Sequence, residues 1–446
     1  GMNAYEIGQF FKAFDLIEQS VDLHFERVMT RASADFLIGL DTDREMESDT
    51  LGWMMPAGEP QAGTAMFNGR AWDRSAGGDL TKGGYSFVTI VHELLHGLGL
   101  AHPFDDGGTS TIFTGVAPNH PYDLGRDWLN QGIFTTMSYG SGFQRGPVGT
   151  SAEARGYSTH GYEIGPSPLD IAVLQAKYGA NTSHASGDTE YVLPGANVRG
   201  TGYEAIWDTG GTDVIVYNGR RDVKINLNAA TLEYEKGGGG FVSGAKGVAG
   251  GFTIAAGVTI ENARSGRGDD VLTGNAVDNV LTGRAGQDFL RGRDGDDTLR
   301  GGVGADKLMG GSGADLLVGN GARDVLNAGS GDDTLLGGRG RDNLKGGAGA
   351  DTLDGGTGND TLFGGADADL FQFNAGTGKD RVNDFDVTED QLQFDAALWG
   401  GTVRTAAEIA ASADVTGRGV VFDFGSDQVL LVGLTETDGL EAAILI

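Results

Sequence analysis

From Ser265 to Gln372 the chain repeats itself every nine residues. An aspartate recurs at Asp270, Asp288, Asp297, Asp306, Asp315, Asp324, Asp333, Asp342, Asp351, Asp360 and Asp369, with Asn279 filling the one gap. Two positions after each comes a leucine, from Leu272 to Leu362, and then Phe371. The unit is Gly-Gly-x-Gly-x-Asp-x-Leu-x, seen whole in Gly301–Met309. A nine-residue period with a single apolar position per unit is read as a stacked coil that buries its leucines. Each unit then makes a tight turn and a strand of about three residues; two units complete one coil, and the leucines face inward between two parallel sheets. A flexible Gly-rich linker would keep no fixed apolar position.

The aspartates follow from the same geometry. Those two units apart, such as Asp288, Asp306 and Asp324, fall on one edge about 4.8 Å apart, where two bare carboxylates repel by roughly 3.5 kcal/mol at an effective dielectric of 20. Glycines let backbone carbonyls turn toward the same spot, and an all-oxygen cage of carboxylates and carbonyls suits Ca2+. Two edges of six loops offer at most ten sandwiched ions. Loops 274–279, 319–324 and 364–369 are expected to be weak, with Ala322 and Asp367 in place of the fourth glycine, and Ala328 replaces a first glycine elsewhere. The balance of 62 acidic against 32 basic side chains, a formal charge of −30, agrees with a cation partner. It sets nucleic acid and anionic lipid aside as partners. No cysteine is present, which removes disulfides, thiolate metal sites and cysteine nucleophiles. Nowhere do 18 apolar residues follow one another, and Gly1–Glu6 lacks the basic stretch and apolar run of a secretory signal.

Ahead of the repeats the pattern is mixed. Ile7, Phe10, Phe11, Phe14, Ile17 and Val21 recur at three- and four-residue steps, predicting an amphipathic helix over residues 4–20. Val21, Leu23 and Phe25 alternate as a strand would, and Ala34–Gly39 reads as a second strand. Ser86–Leu98 is apolar at helical spacing and stops at Gly97-Leu98-Gly99. A further helix starts at Ser167-Pro168-Leu169-Asp170, with Ser167 as cap and Asp170 returning a bond to it, and ends at Gly179. From about residue 187 short β-prone runs alternate with glycine clusters. The expected organisation is an α+β domain at 1–185, a β-rich connector at 186–264, the calcium-binding roll at 265–372 and a C-terminal β cap at 373–446.

Residues 92–102 read His92-Glu93-Leu94-Leu95-His96-Gly97-Leu98-Gly99-Leu100-Ala101-His102. On a helix His92 and His96 face the same way, as two imidazoles on one Zn2+ require. Gly99 can break the helix and bring His102 round as third ligand, leaving a fourth position open for catalysis. Zinc lowers the pKa of a water there toward about 7, and Glu93 is placed to take its proton. At this chain's own residue frequencies the motif would arise by chance about once in 10⁵. His24, His120, His160 and His184 match no ligand spacing.

This His-Glu-x-x-His-x-x-Gly-x-x-His run resembles that of the metzincin peptidases, and Thr136-Met137-Ser138-Tyr139 resembles their Met-turn in its serralysin form. The likeness continues through Ser167–Asn181, Ile206–Asp213, Ile225–Asn228 and Val258–Ala263 into repeats similar to RTX nonapeptides. It implies an α+β metzincin catalytic domain followed by an all-β parallel β-roll, and a zinc endopeptidase acting on proteins or peptides. Tyr139 would be an extra zinc ligand that moves to the oxyanion during reaction, and Asp208 and Asp213 would add calcium ligands beside the repeats. The resemblance further implies a secreted monomer exported by type I secretion machinery, for which Glu441–Ile446 is an imperfect signal. The family's propeptide and first strand are not matched here. Gly63–Asn68 resembles the edge strand along which the family lays its substrate. Two other readings share the composition: a calcium-dependent adhesion module with a vestigial peptidase half, and a surface-layer protein. An intact Glu93 argues against decay.

Overall fold

The computed structural model describes residues 2–41, 46, 50–56, 60–105, 116–117, 120, 129–132, 134–139 and 159–445. Two compact units emerge: Gly1–Asp213 with Asn228–Ile260, and Val214–Leu227 with Glu261–Ile446.

In the first unit, helix α1 (Ala4–Glu18) opens on a capping box. Asn3 Oδ1 accepts from the Glu6 N–H at 3.0 Å, and the Glu6 carboxylate accepts from the Asn3 N–H at 2.6 Å. Strands β1 (Leu37–Asp41), β2 (Gly52–Met54) and β3 (Thr64–Asn68) form a sheet ordered β1-β3-β2, with β1 parallel and β2 antiparallel to β3. Helix α2 (Tyr85–Gly97) buries Phe87, Ile90, Val91, Leu94 and Leu95 in one core with Phe10 and Ile17 of α1 and Phe67 of β3. Helix α3 (Pro168–Tyr178) begins at the expected cap, Ser167 N–H donating to Asp170 Oδ2 at 3.0 Å.

One local expectation fails and the bounds of another shift. Val21–Phe25 is not a strand: Val21 makes only an isolated bridge to Ala180, while Phe25 packs on Phe14 and Phe36 at 4.5 and 5.9 Å between ring centres. Burying that aromatic trio outweighs the alternating pattern. The same trio holds Phe36, so β1 starts at Leu37 rather than Ala34.

The second unit is a β-roll. Strands alternate between two parallel sheets, and each pairs with the strand eighteen residues on, as Leu281 with Leu299 and Leu290 with Leu308. The eleven repeat leucines that fall at nine-residue steps from Leu272 to Leu362, and Phe371, are wholly buried. Strands such as Thr298–Val303 and Lys307–Ser312 run six residues, not three, because the ladder carries on into the loop, where Arg284 pairs with Gly302. The coils also reach past the nonapeptides. Val214–Val216 and Val223–Asn226 precede them, and Lys379–Val382, Gln391–Phe394 and Gln428–Val432 follow, all in parallel register. Among the described residues no helix is long and apolar enough to cross a membrane.

Candidate metal centres

The helical spacing of α2 does what about 3.6 residues per turn dictate. His92 and His96 share a face, Gly99 (φ +91°) ends the helix, and His102 folds back against them. His102 Nε2 lies 3.1 Å from His92 Nε2 and 3.1 Å from His96 Nε2. Each Nδ1 faces an acceptor: Thr136 O for His92, Leu100 O for His96 and Asp105 Oδ2 for His102, all at 2.9 Å. A carbonyl or carboxylate can only accept, so each Nδ1 carries the proton and each Nε2 presents a lone pair to the same point. Burial and the neighbouring imidazoles push His92 down to about 3 and His96 to about 4, so both rings are neutral at physiological pH. Three converging lone pairs without a hydrogen between them fit a cation, and an all-imidazole donor set fits zinc. Among the described residues this is the one place where three side chains of the His, Cys, Asp or Glu types bring their ligand atoms within 4.8 Å of one another.

Glu93 is nearly buried, accepts from the Met54 backbone, and burial raises it to about 7. Tyr139 is brought to the triad, its ring 4.9 Å from that of His102 and 5.8 Å from that of His92. Met137 is buried in the core of the unit. The turn that carries both is tied down by Asp170 of α3, which accepts from Thr135 Oγ1 and the Thr136 N–H at 2.6 Å each. Asp170 thereby fixes the carbonyl that orients His92. The sequence suggested only a helix cap at Asp170 and nothing at Asp105. The sheet corrects one expectation outright: β3, which contains Thr64–Asn68, lies in the middle, and β1 and β2 are the edges, β2 being the one beside Glu93. Glu93 meets this edge through Met54.

The roll places its aspartates in two rows. The Oδ1 of Asp288, Asp297, Asp306, Asp315, Asp324, Asp333, Asp342, Asp351, Asp360 and Asp369 accepts from the backbone N–H eighteen residues earlier, at 2.7–2.9 Å. The Oδ2 of the same ten is buried with no protein donor. A Cβ on Gly283 would meet Asp288 Oδ2 at 2.3 Å and the Gly301 carbonyl at 2.8 Å, so carboxylate and carbonyl oxygens gather at the loop. Buried acceptors gathered without donors fit Ca2+. Burial, with neighbouring carboxylates adding, raises Asp288, Asp297, Asp315, Asp324, Asp351 and Asp360 to about 7, and Asp333 and Asp369 to about 6.

The ends of the rows differ. Asp270 accepts from Val223 N–H and Gly266 N–H, and Asn279 Oδ1 accepts from Asn275 N–H. Asp380 and Asp390 extend the rows past Asp360 and Asp369, but their second oxygens accept from the Thr377 hydroxyl and the Asp386 N–H. Sequence reading missed this pair, although Asp-x-apolar persists in Asp380-Arg381-Val382 and Asp390-Gln391-Leu392, because steps of twenty and twenty-one residues leave the nine-residue period. Asp208 and Asp213 lie in the first unit. Asp208 accepts from Tyr191 OH and Gly210 N–H, and Asp213 Oδ1 accepts from Thr189 N–H.

The RTX calcium-binding nonapeptide repeat family (four copies) matches residues 260–290, 273–308, 300–335, 309–344, 336–371 and 345–379. A serralysin of Photorhabdus laumondii is 34% identical over 208 residues, covering 44% of this chain and 38% of that protein. Metallopeptidase AprA of Pseudomonas marginalis is 33% identical over 43% of this chain and 38% of its own length. Serralysin B of Dickeya chrysanthemi is 34% identical over 52% of this chain and 45% of its own length. This chain thus spans less than half the length of these relatives. A solved extracellular lipase LipA from Serratia marcescens aligns at 20% identity over 54% of this chain and 45% of that one, with a TM-score of 0.18, too slight a likeness to bear on the fold. Over the shared length the chain is similar to serralysins, and its repeats match the RTX calcium-binding nonapeptide repeat family over residues 260–379.

Proposed function

We propose that the chain is a secreted zinc endopeptidase of the metzincin kind whose roll is held by calcium. The observation that carries this is the convergence of three Nε2 lone pairs beside a buried Glu93 and the phenol of Tyr139. His92, His96 and His102 would hold the zinc, which when bound supplies a Lewis acid that acidifies a water and polarises a peptide carbonyl. Glu93 accepts the water's proton at its carboxylate and returns it to the leaving amine; its place near neutrality suits both transfers. Tyr139, within reach of the triad, donates its O–H to the developing oxyanion. A peptide substrate would lie extended along the β2 edge, adding main-chain bonds to the sheet.

The ten ladder aspartates would bind calcium outside the cell, where the ion is plentiful, and export would proceed through a type I channel. Casein zymography of the wild type and Glu93→Gln, each with zinc content measured, tests the reading. Zinc should remain in the variant while hydrolysis falls at least about 10²-fold. Clearing by the variant equal to wild type would sink the mechanism.

A further inference from the structure

The three rings of the triad are not held alike, and the difference falls on His102. His92 and His96 ride on α2, and their Nδ1–H groups donate to main-chain carbonyls. His102 lies past Gly99, beyond the last helical turn, where no helical ladder fixes its direction. In place of a helix, one oxygen holds it. Asp105 Oδ2 accepts from the His102 main-chain N–H at 3.0 Å and from His102 Nδ1 at 2.9 Å. Asp105 N–H donates back to the His102 carbonyl at 3.2 Å, closing the turn. Phe104 covers the imidazole face, its ring centre 4.9 Å away and nearly parallel at 12°.

We propose that Asp105 is the positioning residue of the third metal ligand. By accepting from Nδ1–H it leaves Nε2 bare, sets the plane of the ring, and places a full negative charge one imidazole away from the ion. The carbonyls behind His92 and His96 are dipoles and carry no such charge, so His102 is the strongest donor of the three. Loss of an outer partner of this kind commonly costs 10–100-fold in metal affinity, and among the described residues no other acceptor faces His102 Nδ1. The Asp105 side chain is 36% exposed, so removing its charge does not open the core.

This inference rests on the triad being a zinc site, and the test keeps the two apart. Zinc affinity would be measured on the full calcium-loaded chain by competition with a chromogenic chelator. Co2+ absorption spectra and the thermal midpoint of the zinc-free protein would be recorded for wild type, Asp105→Asn and Asp105→Glu. Asp105→Asn should bind zinc 10–100-fold more weakly, with altered Co2+ bands and an unmoved zinc-free midpoint, and Asp105→Glu should recover part of the loss. Wild-type binding together with equally tight binding by Asp105→Asn would overturn the role of Asp105 and leave the zinc site standing. A weakened variant whose zinc-free form also melts lower would reduce Asp105 to a loop staple and overturn the proposal too. Absence of zinc binding in wild type would overturn the zinc reading and this inference together.

Discussion

Mild acid should do part of calcium's work in the roll. Ten carboxylates stand in two rows of five, each row spaced by one coil, with their second oxygens lacking donors. Eight neighbouring pairs at roughly 3.5 kcal/mol each, at an effective dielectric of 20, exceed the ~5–15 kcal/mol by which a domain is ordinarily stable. The row therefore cannot stay both folded and ionised without a cation. The sign follows from the raised values: an aspartate at 3.8 in the open chain and about 7 in the fold, as at Asp324, takes up protons on folding between those limits. The penalty is absent below about pH 4 and grows as pH rises through 6 to 7. Hydrogen exchange of the full chain in excess chelator, corrected for intrinsic rates, reads this directly in peptides spanning 288–369. They should be unprotected at pH 7.5, protected at pH 4.5, and protected at pH 7.5 once calcium returns. Protection at pH 7.5 in chelator, or none at either pH, would refute the reasoning.

Other expectations are simpler to state. Tyr139→Phe should lower kcat far more than it raises KM with zinc retained, since its phenol acts on charge present only in the transition state; a change in KM alone would make Tyr139 a substrate-binding residue. Asp170→Ala leaves the Thr135, Thr136 and Ser167 donors without their acceptor and should cost at least ~3 kcal/mol, read as a lower thermal midpoint together with weaker zinc binding. Gly340 sits at φ +151° with Ala322 O only 1.6 Å from where a Cβ would lie, so Gly340→Ala should break the roll locally even in saturating calcium. Ala322, one coil earlier at φ +83°, is the reverse case, and Ala322→Gly should raise the melting point by removing ~1 kcal/mol of strain.

Much of this was legible because both halves depend on strict spacing. Residues four apart on a helix must share a face, and a nine-residue period with one invariant leucine must stack, so His92, His96 and the columns of Leu281 and Leu290 could be read from their positions. What escaped depends on partners distant in the chain. Phe25 looks like a strand residue until Phe36 is beside it. Asp170 looks like a cap until Thr136, 34 residues earlier, is seen to share the carboxylate. The loops judged weak were chosen for missing fourth glycines, yet Arg284, Arg293 and Asn320 also sit at positive φ in the second-glycine position. That position was not recognised as left-handed, because the sequence shows which residue replaces glycine and not which glycine the turn requires.

The pairing of each strand with the one eighteen residues on sets how such a chain can change length. Loss of one nonapeptide moves every later strand to the opposite sheet, turning the whole downstream part by half a revolution about the roll axis. Loss of two shortens the axis by one strand spacing, about 4.8 Å, and turns nothing. Variants that keep the heading of their C-terminal strands must therefore gain or lose repeats in pairs, and an odd change reverses that heading at a stroke while leaving every local contact intact.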